Sequence, residues 1–282
     1  MNQGTSYLSS VDRNILTVPV QRIEGESSSP VQDLLAIEEP LEIRLGDKTV
    51  SITMRTPGHD FELAAGFLFT EGIVAGSHQI HRIRRRESAG NPRQAGNSVS
   101  VELKPGVEVD FERLERHFYT TSSCGVCGKA SIEALQMQGC PVLPRDAPTV
   151  PSQVIHRLPD ALRHQQTVFE RTGGLHAAAL FDAKGNLVLL REDVGRHNAV
   201  DKLIGAEMLR NHTPLGDKLM LVSGRASFEL TQKALMGGIP ILAAVGAPSS
   251  LAVETAQRFN LTLVGFVRDG RFNIYSGASR IQ

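Results

Sequence analysis

The stretch Thr120-Thr121-Ser122-Ser123-Cys124-Gly125-Val126-Cys127-Gly128-Lys129 sets two thiols three positions apart in a loop of small residues, just ahead of a helix-like run from Ala130 to Met137. Thiols so placed face the amino end of that run, where free N–H groups and the Lys129 ammonium favour the thiolate, the reactive form of cysteine. Gly125 and Gly128 leave room for a second molecule to approach the sulfur. Cys140, the third cysteine, precedes Pro141 and reads as inert.

A lone C-x-x-C has rival readings. Structural zinc needs two further ligands; Cys140 with His117 or His156 can be put forward, although no second paired motif exists. A thioredoxin-like dithiol follows a buried strand in a β-α-β pattern, whereas this pair follows a helix-like segment and a Ser/Thr-rich loop. Packing alone is the third reading, and a glycine-flanked loop is a poor place to bury thiols.

A second group of candidates lies further along. Asp193-Val194-Gly195-Arg196-His197-Asn198 opens one expected helix, and Ser223-Gly224-Arg225 opens the next. Helix amino ends present free N–H groups, and ligands of open α/β sheets bind beyond the carboxyl ends of strands, so a phosphate-bearing ligand fits Arg196, His197, Ser223, Gly224 and Arg225. Alternatively Ser223 and Asn198 only cap helices and the arginines make surface pairs. His176, after Gly173-Gly174, is either a ligand contact or a buried turn histidine. Arg84-Arg85-Arg86 reads as a solvated strand edge, Gly237-Gly238 as a helix end, and Gly246-Ala247-Pro248-Ser249 as a turn and cap.

The elements that position these residues fall into two halves. Residues 1–30 are polar and aperiodic and are expected to form a mobile arm. Residues 31–140 read as an α+β unit: alternation at Leu41, Ile43, Leu45 and at Val50, Ile52, Met54 around Gly46-Asp47 predicts a hairpin, and Asp60 is expected to cap a helix carrying Phe61, Ala64, Ala65 and Leu68 and ending at Gly72. Strands near 80–86 and 99–103 follow, then a short helix over Phe111, Leu114 and Phe118. Pro141 to Pro151 carries four prolines and reads as a linker. From 152 to 282 helices and strands alternate: helix from about 152, strands 177–181 and 187–191, helix 197–210, strand 219–223, helix 226–236, strand 241–245, helix 249–259 and strand 262–267. Such alternation predicts a mostly parallel sheet covered on both faces.

Composition sets outer limits. With 282 residues, 41% hydrophobic and thirty basic residues matching thirty acidic ones, the chain buries a real core and has no broad basic field for nucleic acid. The most apolar stretch, Ile239 to Ala247, has nine residues against the roughly 20 needed to span a bilayer. No signal-peptide pattern opens the chain, and three cysteines are too few and odd for a disulfide framework, so a reducing cytoplasm is expected.

The order α-β-β-α-β-α-β-α-β resembles the three-layer cytidine deaminase fold. Zinc deaminases place H-x-E and P-C-x-x-C at two helix starts; here those places hold His197-Asn198-Ala199 and Gly224-Arg225-Ala226-Ser227, so neither the proton-shuttling glutamate nor the paired thiolates are present. Deamination is excluded if the fold holds.

Taken together, Arg55-Thr56-Pro57-Gly58-His59-Asp60-Phe61-Glu62, Ser123-Cys124-Gly125-Val126-Cys127-Gly128, Thr172-Gly173-Gly174-Leu175-His176, Glu192 through Lys202, Ser223-Gly224-Arg225 and Gly265-Phe266-Val267-Arg268 resemble the formate dehydrogenase accessory sulfurtransferases, the FdhD/NarQ family, over nearly the whole chain after about residue 35. The resemblance implies a sulfur carrier that accepts a persulfide sulfur from a cysteine desulfurase and passes it to the molybdenum bis(molybdopterin guanine dinucleotide) cofactor of formate dehydrogenase. It implies Cys124 as persulfide carrier, Cys127 in an auxiliary role, and a cofactor contact over Leu263, Val264, Gly265, Phe266, Val267 and Arg268, with Phe266 stacking on a base and Arg268 meeting a phosphate. GDP is then a mimic of the cofactor, no zinc is expected, and the partners are the desulfurase, the apo-enzyme and a second copy of the chain. A non-enzymatic cofactor or apo-enzyme chaperone, and a thiol redox enzyme on a deaminase-like scaffold, are the competing functions.

Overall fold

A computed structural model describes residues 14–86, 96–109, 132, 133, 135 and 139–282. The C-x-x-C loop, Lys129 and the short helix expected over Phe111 to Phe118 lie outside the described residues.

The first elements are β1 (Ile15–Glu24) and β2 (Ser27–Ala36), paired antiparallel from Ile15 opposite Ala36 to Glu24 opposite Ser27. Residues 15–30, expected to be aperiodic within a mobile arm, are therefore largely strand. No residue of either strand is fully buried, and Leu16, Ile23 and Leu35 are exposed, so the clear burial alternation that announces a strand is missing.

The hairpin β3 (Glu39–Leu45) and β4 (Lys48–Arg55) forms as expected, with β5 (Ile80–Arg85) and β6 (Ser98–Leu103) completing a four-stranded sheet in the order β4-β3-β6-β5. Its inner face carries Leu41, Ile43, Val99 and Val101, which pack on α1 (Asp60–Thr70). The residue before α1 is His59 in the left-handed conformation; Asp60 does not cap the helix but turns its carboxylate to Arg55.

In the second half, α2 (Ser152–Arg163) and α3 (Thr167–Thr172) precede β7 (His176–Phe181), β8 (Leu187–Asp193), α4 (Arg196–Leu209), β9 (Leu219–Val222), α5 (Phe228–Met236), β10 (Ile241–Ala244), α6 (Ser250–Arg258), β11 (Thr262–Arg268) and β12 (Arg271–Ser276). The strands form one six-stranded sheet, β12-β11-β10-β9-β7-β8. It is mixed rather than mostly parallel in its pairing. β8, β9, β10 and β11 share a direction, but β7 returns through a tight hairpin and sits between β8 and β9, so only β9–β10 and β10–β11 are parallel neighbours.

Successive strand residues face opposite sides, as the pleat requires. Leu219, Leu221, Ile241 and Ala243 meet α2 on one side, while Met220, Val222, Leu242 and Ala244 meet α4, α5 and α6 on the other. α4 is buried all round because α1 covers its far side. The two helices touch backbone to backbone: a Cβ placed on Gly66 would lie 1.9 Å from the Asp201 carbonyl oxygen, and one on Gly205 would lie 1.9 Å from that of Glu62. The expected division at residue 140 is accordingly not a division of the core, since one apolar cluster runs from Leu41 through Leu63 and Leu203 to Leu263. Nor is the proline-rich stretch a free linker. Leu143 N–H donates to the Phe259 carbonyl (3.0 Å), Val150 N–H donates to the Arg280 carbonyl (2.8 Å), and the fully buried Arg280 guanidinium donates to the carbonyls of Pro144 and Ala147.

Candidate functional site

Because β8, β9, β10 and β11 run the same way, their carboxyl ends and the amino end of β7 share one edge of the sheet. Along that edge the order is Asp193, His176, Ser223, Val245 and Phe266, a span of roughly 19 Å at about 4.8 Å per strand spacing. The loops leaving β9 and β10 and the bulge of β11 are tied to one another. Gly246 N–H donates to the Gly224 carbonyl (2.9 Å), Phe266 N–H donates to the Gly246 carbonyl (3.0 Å), and Ala226 N–H donates to the Ala247 carbonyl (3.2 Å). Glycine is needed at two of these contacts: a Cβ on Gly246 would sit 3.1 Å from the Gly224 oxygen, and one on Gly265 would sit 2.8 Å from Pro248 Cδ.

Ser223 is a structural pin rather than a helix cap, for its hydroxyl accepts from Ala177 N–H (2.9 Å) and locks β9 to β7. The helix after β9 starts at Phe228 and is capped by Ser227, so Ser223-Gly224-Arg225 is a connecting loop and does not open the helix as expected. Arg225 is exposed on that loop. His176 lies beside Gly224, and its imidazole pKa is lowered by burial and by the Arg196 charge, with Asp193 opposing. His197 is lowered to about 4 by burial, then by Arg196 and Lys233, against Glu229 and Glu71. Its Nε2 is enclosed without a hydrogen-bond partner, 3.9 Å from Glu229 Oε2. Both imidazoles are therefore neutral at pH 7, and the positive charge of this edge comes from Arg196, Arg225 and Arg268. Gly195 gives α4 no capping side chain, which leaves the helix amino end facing this edge.

At the far end, the side chains of Leu263, Val264 and Val267 are fully enclosed in the sheet. Phe266 and Arg268 are the outward members of the segment, with the guanidinium 5.8 Å from the ring centroid. Phe266 has φ of 56°, in a bulge between Gly265 and Arg268. A bulky residue there costs on the order of 1 kcal/mol and is held only by its surroundings; the hydrogen bond to Gly246 is one of them.

Behind the edge lies a set of buried charges, of which only Asp60 had an expected role. Asp193, fully buried, holds Lys202 Nζ at 2.6 Å through Oδ2 and accepts from Gly195 N–H (2.8 Å) and Asn198 Nδ2 (3.0 Å) through Oδ1. Lys202 also donates to the Thr56 carbonyl (2.8 Å), and Asn198 Nδ2 to that of Met54 (2.7 Å), so Asn198 joins the halves instead of capping α4. Arg55 donates from Nε to Asp60 (2.9 Å), and Arg85 reaches the same carboxylate at 3.0 Å, so the expected solvated arginine run has a structural member. Burial alone would raise the Glu62 pKa, yet two hydrogen bonds from Arg191 and one with His59 hold it down at about 2. His59 Nδ1 sits 3.3 Å from Glu62 Oε2 while its ring faces solvent. Lys233 is ringed by Asp201 (3.0 Å), Glu71 (2.9 Å) and Thr70 (2.9 Å). The readable signal for part of this was charged residues at core positions of α1, α4 and α5, among them Asp60, Asp201, Lys202 and Lys233.

The edge thus gathers His176, Arg196, His197, Ser223, Gly224, Arg225, Phe266 and Arg268, all singled out from the sequence. Cys124 and Cys127 lie outside the described residues. Cys140 packs in the core cluster shared with α1, and burial pushes its thiol up to about 12, as suits an unreactive cysteine. His156 belongs to the opposite side of the sheet, its ring 4.8 Å from that of Phe272. Among the described residues no helix is long and apolar enough to cross a membrane.

Comparison with known proteins agrees across the chain. The profile of the FdhD/NarQ family matches residues 36–282. The sulfur carrier protein FdhD of Streptomyces coelicolor is 52% identical over 264 residues, covering 93% of this chain and 94% of that protein. Its counterpart in Mycobacterium tuberculosis is 52% identical over 266 residues, covering 93% and 96%. The crystal structure of a protein from Desulfotalea psychrophila, assigned as a formate dehydrogenase accessory protein, superposes with a TM-score of 0.72 at 25% identity, covering 95% of this chain and 99% of that one.

Proposed function

The chain belongs to the FdhD/NarQ family, and from that premise we propose that it is a cytoplasmic, homodimeric sulfur carrier serving formate dehydrogenase. The carrier is Cys124. Its thiolate attacks the terminal sulfur of a cysteine desulfurase persulfide; the new S–S bond forms on Cys124, the donor's S–S bond breaks, and the donor cysteine leaves as thiolate. Delivery needs the sulfur as hydrosulfide. Attack of the Cys127 thiolate on Cys124 Sγ releases it, forms a Cys124–Cys127 disulfide, and leaves that bond for an external dithiol to reduce.

The acceptor is the molybdenum bis(molybdopterin guanine dinucleotide) cofactor, handled as substrate. What supports its binding is the collection of four strand ends on one edge with Arg196, Arg225, Arg268, the uncapped amino end of α4 and an outward phenyl ring. Phosphates suit the guanidiniums and the helix end, and a guanine suits Phe266. His176 and His197, being neutral, hydrogen-bond without adding charge. The α/β half is cytidine deaminase-like in this proposal, supported by the element order from α2 to β11.

Two measurements test it. Intact mass after incubation with a desulfurase and cysteine is expected to rise by one sulfur, reversibly with reductant, and to stay unchanged in Cys124→Ala. A calorimetric titration with GDP is expected to give salt-sensitive binding that the Phe266→Ala/Arg268→Ala double variant loses; equal binding by the variant removes both residues from the site.

A further inference from the structure

At the other end of α4 from this edge lies a second concavity. α4 has 14 residues, so the two are about 20 Å apart along the helix. The cleft, about 640 Å3, is formed by α1, β5, the turn before β5 and the residues ending α4. Its apolar part is Phe61, Ile80, Ile83 and Leu209, and its charged rim is Arg82 and Lys104 with the imidazoles of His78 and His81. No carboxylate lines it among the described residues. Neither Arg82 nor Lys104 makes an ion pair with a described residue, although the neighbouring Arg84 and Arg85 are paired with Glu102 and Asp60.

β5 is also the edge strand of its sheet: β6 pairs one side, and no described strand pairs the other. An edge strand presents free N–H and C=O groups at every second residue, and basic side chains along it repel a second copy of the same strand. The same charges attract an acidic strand. Glu102, opposite Arg82 in the ladder, is taken up by Arg84 at 2.8 Å; free ladder positions, an apolar floor and a basic rim in excess of its carboxylates together match an extended peptide that alternates carboxylates with apolar side chains.

We infer that this cleft docks an extended acidic segment of a partner protein, pairing along β5 with its apolar side chains against Phe61 and Leu209 and its carboxylates on Arg82 and Lys104. The inference rests on the carrier reading above for its purpose: a carrier that must be held by its client while its cofactor edge is occupied needs a handle away from that edge.

The probe is a fluorescein-labelled octapeptide alternating glutamate and leucine, titrated by anisotropy into the full chain beside its lysine–leucine counterpart. The acidic peptide is expected to bind saturably, at least tenfold more weakly to Arg82→Glu/Lys104→Glu and several-fold more weakly to Phe61→Ser, while sulfur loading of both variants, read by intact mass, stays at the wild-type level. Equal binding of the acidic peptide to the double variant overturns the inference, as does equal binding of the lysine–leucine peptide. Tripolyphosphate that binds where neither peptide does shows a small-anion site instead and overturns it too. Because the peptide readout involves no sulfur chemistry, failure of the carrier reading, seen as loading that persists in Cys124→Ala, is separable from failure of the docking inference.

Discussion

The seam between α1 and α4 and the strand-end edge only a few residues away are both rich in polar groups, yet they treat them in opposite ways. At the seam each buried charge is matched: Asp193 has four donors, and Lys233 has three acceptors. At the edge His197 Nε2 has no partner, Arg225 is exposed, and Phe266 is held at a positive φ. Saturated groups fix a structure, whereas groups held in place but left unsatisfied are available to a ligand. The contrast separates residues that carry stability from the residues to which the proposal gives binding.

The largest effect expected from that contrast is at Lys202. Lys202→Met leaves the Asp193 carboxylate buried and unpaired, and removing one partner of such a pair costs about 3–5 kcal/mol. Urea unfolding measures it, and adding Asp193→Asn is expected to restore much of the loss; a cost below about 1 kcal/mol would mean that the seam is not closed to water. Next is Gly205→Ala. Its Cβ would meet the Glu62 carbonyl at 1.9 Å, so α1 must lift from α4 at about 2–3 kcal/mol, the upper range for overpacking. An unchanged midpoint would show that the helices are free to part.

Glu62 links the two regions, since Arg191 holds it from behind and His59 meets it from the solvent side. Its folded pKa of about 2 is below the ordinary 4.5, so its contribution is present above about 4.5 and is lost as pH falls toward 2. Allowing for partial exposure, about 1–2 kcal/mol is at stake. The difference in unfolding free energy between wild type and Glu62→Gln is expected to shrink over that window and to be flat above it.

The smallest stability effect belongs to the edge. Arg225→Ala is expected to change unfolding by no more than about 0.5 kcal/mol while weakening GDP roughly tenfold, the worth of one charge-assisted phosphate contact. GDP affinity is expected not to rise as the pH falls from about 7.5 to about 6, because burial and the Arg196 charge lower the imidazoles of His176 and His197, the latter to about 4, and the terminal phosphate of GDP itself loses charge at about pH 6. A steep gain in affinity over that interval would mean that a histidine supplies the charge assigned here to arginine.

Legibility followed burial. Strands β7, β9 and β10, enclosed on both faces, announced themselves as apolar runs, and their helices fell within a few residues of expectation. β1 and β2 did not, since two exposed faces leave no alternation, and β12 has only Phe272, Ile274 and Tyr275 among polar neighbours. The shared core was hidden because Gly66 and Gly205 meet across a long stretch of chain, and nothing local marks such a contact. Prolines from 141 to 151 looked like a spacer by composition, while the atoms that hold them, the Arg280 guanidinium and the Phe259 carbonyl, come from the last part of the chain. At the edge, Phe266, Arg196 and Arg225 were legible by type, and their alignment became visible only once β8 to β11 were known to share a direction.

The chain of hydrogen bonds from Gly224 through Gly246 to Phe266 limits how this protein can diversify. Two neighbouring loops and the bulge of β11 that lean on one another by backbone contact cannot be lengthened singly, because an insertion in one withdraws the carbonyl that orients the next. If the edge binds the proposed cofactor, descendants of this scaffold that accept a different ligand are therefore expected to differ by side-chain replacement at positions such as 225 and 268, with loop lengths conserved. A library that randomises side chains there will return folded variants, and one that varies loop length will be depleted of them.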